Sequence, residues 1–236
     1  MKHGFIIKWC HIFSNAFYFI RRGLYSVIRE EAPGCRGDLL DFGAGSKPYQ
    51  HLFTEASSYI GLDIEVSGHS NSNKKADVYY DGKTIPFPDA RFDSVFSSEV
   101  FEHVFNLDEI LPEINRVLKP GGRMLITCPF VWPEHEVPYD FARYSSYGIR
   151  ALLERHGFRV VRQHKTGHFL EVVLQQLIVY LFFLLPKKPA VIYYILHQVF
   201  ILPFMLIGLL VNLILPKKLK RKDFYHNNVL VVEKTR

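Results

Sequence analysis

Cysteine is scarce in this chain of 236 residues: three thiols, at Cys10, Cys35 and Cys128, with no CxxC or CxH spacing among them. That pattern excludes a zinc ribbon or a disulfide framework, fits a reducing compartment, and leads us to expect no metal. A second full domain is excluded by length, which allows one α/β domain with elaborations. Also missing is a basic face on the central region. Residues 32–167 hold 15 Lys/Arg against 18 Asp/Glu, a net charge of −3. A nucleic-acid partner needs positive charge on the working domain, so none is expected.

The positive excess lies elsewhere. Residues 1–31 carry a net +3 and residues 168–224 a net +5, and these are also the most apolar parts of the chain. Basic residues flanking apolar runs suit anionic lipid headgroups. Aromatics are plentiful, with 20 Phe and 13 Tyr, as at interfaces and membrane surfaces. Phe5, Trp9, Phe13, Phe17, Ile20, Leu24 and Ile28 recur at helical spacing, so residues 1–31 predict one amphipathic helix. Either the core or a membrane surface could take its apolar face.

From Asp38 the rhythm is strand and helix in alternation. Strands are predicted over 38–42, 59–64, 76–81, 92–97, 123–128 and 158–163, with helices over 107–118 and 146–156. Alternation of this kind specifies a doubly wound parallel α/β sheet with its ligand at the strands' carboxyl ends. The glycine turn after the first strand, Gly43-Ala44-Gly45, is expected to open a helix. Phe169–Leu185 and Ala190–Leu215 then form two long apolar runs, the second without any charged residue, and Val229–Glu233 reads as a last strand. The predicted organisation is therefore an N-terminal helix (1–31), a catalytic domain (32–167), a hydrophobic helical insertion (168–224) and a final strand (225–236).

Leu39-Leu40-Asp41-Phe42-Gly43-Ala44-Gly45-Ser46 is the centre of the functional reading. Two glycines let backbone turn sharply and approach a ligand closely. Asp63 ends the second strand, 18 residues after Gly45, where a carboxylate can accept from both hydroxyls of a ribose. A dinucleotide site would want a third glycine at position 48, and Pro48 stands there.

Taken with Tyr59-Ile60-Gly61-Leu62-Asp63, Ile85-Pro86-Phe87-Pro88-Asp89, Phe92-Asp93-Ser94-Val95, Glu102-His103-Val104 and Arg116-Val117-Leu118-Lys119-Pro120-Gly121-Gly122, this segment resembles the ordered motifs of class I S-adenosylmethionine-dependent methyltransferases. The resemblance covers about residues 36–165 and implies a Rossmann-like fold and S-adenosylmethionine as cofactor. By it, Gly43 and Gly45 line the methionine part, Asp63 binds the ribose, and Asp81 the adenine amino group, with Asp77 as the alternative. Main chain around Ser97, Ser98 and Glu99 faces the sulfonium. Asp41 shapes the glycine turn and reaches the cofactor's amino group through water. Tyr49 is the candidate for the carboxylate contacts that a third glycine would otherwise serve.

Residues 129–144 crowd polar and aromatic groups where the fold overhangs its substrate. The run Pro138-Tyr139-Asp140-Phe141-Ala142-Arg143-Tyr144 resembles a segment of methyltransferases associated with bacterial surface polysaccharides. Methyl transfer needs positioning and a base for the acceptor's proton. His103 and His135 are the candidates by ordinary pKa, with Asp140 next. A capping and packing role for Glu102 and His103 is the plainer alternative, and Arg143 is expected to fix the loop through Glu134 or Asp140 rather than to touch substrate.

The expected function is O-methylation of a glycan or glycolipid intermediate at a membrane. The alternatives are methylation of a lipophilic small molecule, such as a quinone or lipid headgroup, and a cofactor-binding membrane scaffold. Ala190–Leu215 is long enough to cross a bilayer and Phe169–Leu185 is marginal. If the last strand rejoins the sheet, the insertion crosses twice or not at all. A monotopic seat on the cytoplasmic leaflet is favoured over a spanning hairpin, since a hairpin would export Lys187 and Lys188. The non-membrane alternative is an oligomer interface.

Overall fold

The computed structural model describes residues 8–64 and 74–235. Its centre is a mixed sheet of seven strands in the order β3-β2-β1-β4-β5-β7-β6. The strands are β1 (Gly37–Phe42), β2 (Ala56–Ile64), β3 (Val78–Tyr80), β4 (Phe92–Ser98), β5 (Leu118–Pro129), β6 (Phe158–Lys165) and β7 (Asn227–Lys234). β1 pairs in parallel with β2 on one side and β4 on the other, and β2–β3 and β4–β5 are parallel as well. Leu39–Phe42 are all buried, as expected of a strand covered on both faces. The α/β Rossmann-like fold read from the strand–helix alternation is the observed one.

The chain divides into two compact units. The larger, residues 27–164 and 228–236, holds most of the sheet and a core in which Leu40, Phe92, Ile114, Met124, Ile126 and Leu230 are fully buried. Helix α2 (Leu107–Val117) buries Leu107, Ile110, Leu111, Ile114 and Val117, a stripe at helical spacing. Asp108 and Glu109 sit in its first turn, where the helix dipole favours negative charge. Helix α3 (Ser146–Arg155) is capped by Ser145, whose hydroxyl accepts the Gly148 N–H at 3.1 Å. Glu31, 3% exposed, accepts from Arg123 at 2.8 Å, Arg162 at 2.6 Å and His164 at 2.9 Å, which ties the end of α1 (Tyr18–Glu31) to β5 and β6.

The smaller unit, residues 1–26 and 165–227, combines the N-terminal segment with the apolar insertion. Helix α4 (Phe169–Leu184) is followed by α5 (Ala190–Leu196), a π turn (His197–Ile201) and α6 (Leu202–Ile214). Pro203 has no N–H for the carbonyl four residues back, and the wider turn takes up that break. Ile12, Phe19, Ile178, Ile201 and Met205 form the unit's own core. Within it the Gln175 amide donates to the Ala16 carbonyl at 2.6 Å and accepts the Phe19 N–H at 3.2 Å.

Two expectations are corrected. The N-terminal segment is not one helix: a short 3-10 turn (Trp9–Phe13) precedes α1, because the Asn15 side chain accepts the Phe17 N–H at 3.0 Å and starts a new helix there. Phe5 lies outside the described residues. No α-helix follows the glycine turn either. Pro48 and the left-handed Lys47 (φ 53°) leave only a 3-10 turn over Gln50–Leu52 before β2. The final strand does rejoin the sheet, beside β6, and the Thr166 N–H meets the Asn227 carbonyl at 3.0 Å where the insertion begins and ends.

Candidate active site

Strand order reverses between β1 and β4, so the carboxyl ends of these two strands frame the crevice where doubly wound sheets bind ligands. β1 runs into the glycine turn. Gly43 has φ 75°, and a Cβ there would stand 2.3 Å from a methyl of Val100, so only glycine lets the turn lie against the segment after β4. Gly45 has φ 48° with nothing within 4 Å of its Cβ position, and its N–H donates to Asp63 at 2.9 Å.

Asp63, 8% exposed, also accepts the Ile64 N–H at 2.8 Å, and Lys74 Nζ lies 3.4 Å away. A carboxylate offers about four lone-pair sites, so capacity for ribose hydroxyls remains. Beneath the turn, Asp41 accepts the Tyr59 hydroxyl at 2.7 Å; burial pushes its carboxyl up to about 7, against the opposing pull of that hydrogen bond. The Ser97 hydroxyl is buried without a hydrogen-bond partner. An open face at Gly45, an adjacent carboxylate and an unsatisfied hydroxyl make these residues a fit for a nucleoside cofactor.

After β4 the chain is held under tension. Glu99 has φ 55°, a left-handed conformation that non-glycine residues rarely adopt, and such residues concentrate at functional sites. Its N–H donates to the Thr127 carbonyl at 3.0 Å and its carboxylate accepts the Thr127 hydroxyl at 2.7 Å. Ser98 and Thr127 share a hydrogen bond of 2.9 Å.

The structure brings His103, His135 and Asp140 together. The two imidazole rings stand 4.7 Å apart between centroids, at 73°. His103 Nδ1 donates to the Tyr139 carbonyl at 2.6 Å, since that oxygen can only accept; in the neutral ring the lone pair is then on Nε2. The Phe141 N–H donates to the Glu102 carbonyl at 2.8 Å, a second tie between the loop after β5 and the segment after β4. Asp140 is gripped by Arg143 through both oxygens, at 2.5 and 2.6 Å. Those bonds outweigh burial and hold its carboxyl down at about 2, so it is a poor base and a firm support. It supports His135, accepting that residue's backbone N–H at 2.9 Å and lying 3.2 Å from Nδ1. Arg143 thus anchors the loop through Asp140, one of the two partners expected for it. Burial, then the neighbouring His103, lowers the His135 pKa.

The remaining candidates are engaged by the chain itself. Asp81, at the end of β3, is fully exposed, its carboxylate accepting the Lys83 and Thr84 N–H groups at 2.8 and 2.9 Å. Asp77 is engaged by Lys47 and by the Gly61 N–H at 2.7 Å. Tyr49 is 3% exposed with its ring edge-on to Phe96 at 6.0 Å. Sequence reasoning missed Lys47, Lys74, Tyr59 and Thr127. Of the roles left open for Glu102, the cap is not observed: that side chain is 1% exposed with neither oxygen hydrogen-bonded. Burial, reinforced by the charge of Glu99, pushes its carboxyl well above the usual range.

A glycine turn and an acid at the switch point of this sheet define a Rossmann-like domain for a nucleoside-bearing cofactor. Residues 40–126 match the family described as a methyltransferase domain. The chain is 29% identical over 162 residues to a ubiquinone/menaquinone biosynthesis C-methyltransferase from Hahella chejuensis, covering 58% of this chain and 65% of that one. It is 30% identical over 127 residues to a fatty-acid O-methyltransferase from Mycolicibacterium smegmatis, covering 51% of this chain and 45% of that one. The chain thus spans less than two thirds of the length of either relative. Among solved structures, a Haemonchus contortus phosphoethanolamine N-methyltransferase in complex with S-adenosyl-L-methionine superposes with a TM-score of 0.56 at 19% identity, covering 95% of this chain and 55% of that one. Over residues 40–126 the chain thus carries a region similar to a methyltransferase domain, and it resembles the class I S-adenosylmethionine-dependent methyltransferases in sequence and in fold.

Proposed function

We propose that the chain transfers the methyl group of S-adenosylmethionine to an oxygen of a glycan or glycolipid intermediate worked on at the cytoplasmic face of a membrane. The observation that carries the chemistry is the cluster of Glu102, His103, His135 and Asp140, on the segments following β4 and β5. In the transfer, the acceptor oxygen attacks the sulfonium methyl in line. The sulphur–carbon bond breaks with its electron pair going to sulphur, and the hydroxyl proton must be taken up. The Nε2 lone pair of His103 and the imidazole of His135 are the groups able to take it, or to hold what does. Exposed Val137, Tyr139 and Phe141 supply apolar surface beside the loop's charges, a mixture suited to the faces and hydroxyls of a sugar.

The apolar unit supports delivery from a bilayer. Ala190–Ile214 has a mean hydropathy of 2.1 and is mostly exposed, only 22% of its most apolar window being buried. A second reading, methylation of a lipophilic small molecule, is supported by the named substrates of the fatty-acid and quinone relatives. Incubation of the detergent-solubilised protein with methyl-labelled cofactor and fractionated cell-envelope extract tests both. Label in a glycolipid or glycan fraction is the expected result. Label in quinones or free fatty acids instead moves the assignment to the second reading. Cofactor binding with no transfer to any fraction leaves a scaffold.

A further inference from the structure

Glu102 is a buried acidic side chain for which the larger unit supplies no hydrogen-bond partner. A carboxyl group buried to 1% exposure, with neither oxygen hydrogen-bonded, lacks any partner for its polar atoms and can ionise only if some positive group meets it. The Nε2 atom of His103 stands 3.6 Å from its Oε1 and is itself buried without a hydrogen-bond partner. Both histidines are anchored from behind, His103 through Nδ1 on the Tyr139 carbonyl and His135 on the Nδ1 side by Asp140, with Arg143 bracing the carboxylate. Metal-ligating histidines carry the same outer support: one ring nitrogen on a carbonyl or carboxylate, the other aimed at the ion.

One ligand atom from each of Glu102, His103 and His135 lies within 4.8 Å of the other two. We propose that these three side chains bind a divalent transition-metal ion. Ligand bonds of about 2.0–2.2 Å require the three atoms to close in by roughly an ångström, within the reach of side-chain torsions. Two imidazoles and one carboxylate suit Zn²⁺, Mn²⁺ or Fe²⁺ and disfavour Mg²⁺ and Ca²⁺, which take oxygen ligands. Glu136, 3.7 Å from His103 Nε2, is the next oxygen outward. Three protein ligands leave coordination positions open, the mark of a catalytic rather than a structural site. Resting on the methyl-transfer reading, the ion would bind the acceptor hydroxyl and acidify it, so that its proton passes to solvent as the oxygen–methyl bond forms. The histidines then act as ligands rather than as the base. Metal binding itself does not depend on that reading.

The test is calorimetric titration of the chelator-stripped full chain with Mn²⁺ and with Zn²⁺, beside Glu102→Gln, His103→Ala and His135→Ala, with S-adenosylmethionine affinity measured on each sample. The expected result is one ion per wild-type chain, at least a tenfold loss of affinity in every variant, and unchanged cofactor affinity. Glu102→Gln removes the carboxyl ligand at nearly constant shape, and a melting temperature at or above that of the metal-free wild type separates its loss of metal from unfolding. Bound Mn²⁺ should also show nitrogen hyperfine coupling in its paramagnetic resonance, diminished in either histidine variant. Wild-type binding that is absent, or no tighter than in Glu102→Gln, overturns the site. Cofactor binding that persists in that case leaves the methyltransferase reading standing, whereas metal bound without any cofactor binding would overturn that reading and keep this one.

Discussion

Single side chains at the crevice make opposing demands. Asp63 accepts backbone N–H groups and keeps lone pairs open for a ligand's hydroxyls; Asp41 is buried beneath the turn at some cost to the fold. Asp63→Ala should weaken S-adenosylmethionine binding by about 1–3 kcal/mol, the loss when an ionised acceptor is removed from its donors. Unchanged affinity by calorimetry in a folded variant would take Asp63 out of the site. For Asp41 the sign runs the other way from an ordinary ion pair. Its carboxyl is raised from 3.8 to about 7 by burial, so between those values the unfolded chain releases a proton that the folded chain keeps. Wild-type stability should therefore fall as pH rises across that window and level off above it. Asp41→Asn, which keeps an acceptor for the Tyr59 hydroxyl, should gain on wild type in melting temperature from pH 4 to pH 7. A gap that stays constant with pH would mean Asp41 is ionised throughout. Asp63 was legible in the sequence because its strand-end position follows from the motif order. Glu102 was not, because its cost appears only once His135, 33 positions further on, is folded over it.

Elements were legible where a hydrophobic period ran uninterrupted and illegible where a local hydrogen bond competed with it. β1, β4 and α2 fall within a residue of their predicted bounds at most ends, since each is bounded by turn residues and filled by core residues. The break at Asn15 and the missing helix after the glycine turn both arise from side-chain capping and a left-handed residue, which leave the apolar pattern intact. The glycine turn itself offers a matched pair of substitutions. Gly43→Ala places a Cβ against Val100 at a positive φ, so it should both destabilise the chain and disrupt the site. Gly45→Ala meets nothing within 4 Å, so it should cost only the left-handed strain, about 1–2 kcal/mol, yet weaken cofactor binding by filling the open face of the turn. Melting temperature and cofactor titration separate the two. Equal destabilisation by both variants would show that the space beside Gly45 is structural rather than a ligand cradle.

At the scale of the molecule, the smaller unit is what a plain methyltransferase sheet does not need. Both ends of its insertion lie at β6 and β7, adjacent strands, so it crosses a bilayer twice or not at all. Sixteen residues of α4 reach about 24 Å, short of the ~30 Å hydrocarbon core, whereas the 25 residues of Ala190–Ile214 reach about 37 Å. That mismatch favours a hairpin lying in one leaflet over one spanning two. Exposed Lys217, Lys218 and Lys222 then add attraction to anionic headgroups, each about 1 kcal/mol and screened by salt. Apolar burial is not screened, so the intact protein should pellet with membranes at both low and high salt. A variant with exposed Leu206, Ile207, Leu210 and Leu213 changed to serine should bind at low salt and be released at high salt. Intact protein recovered without detergent as a well-behaved dimer would replace the membrane by an oligomer interface. If it pellets, protease applied from outside the cytoplasmic membrane decides the seat: cleavage near Lys187–Lys188 requires a spanning hairpin, and protection there is the outcome that the short α4 predicts.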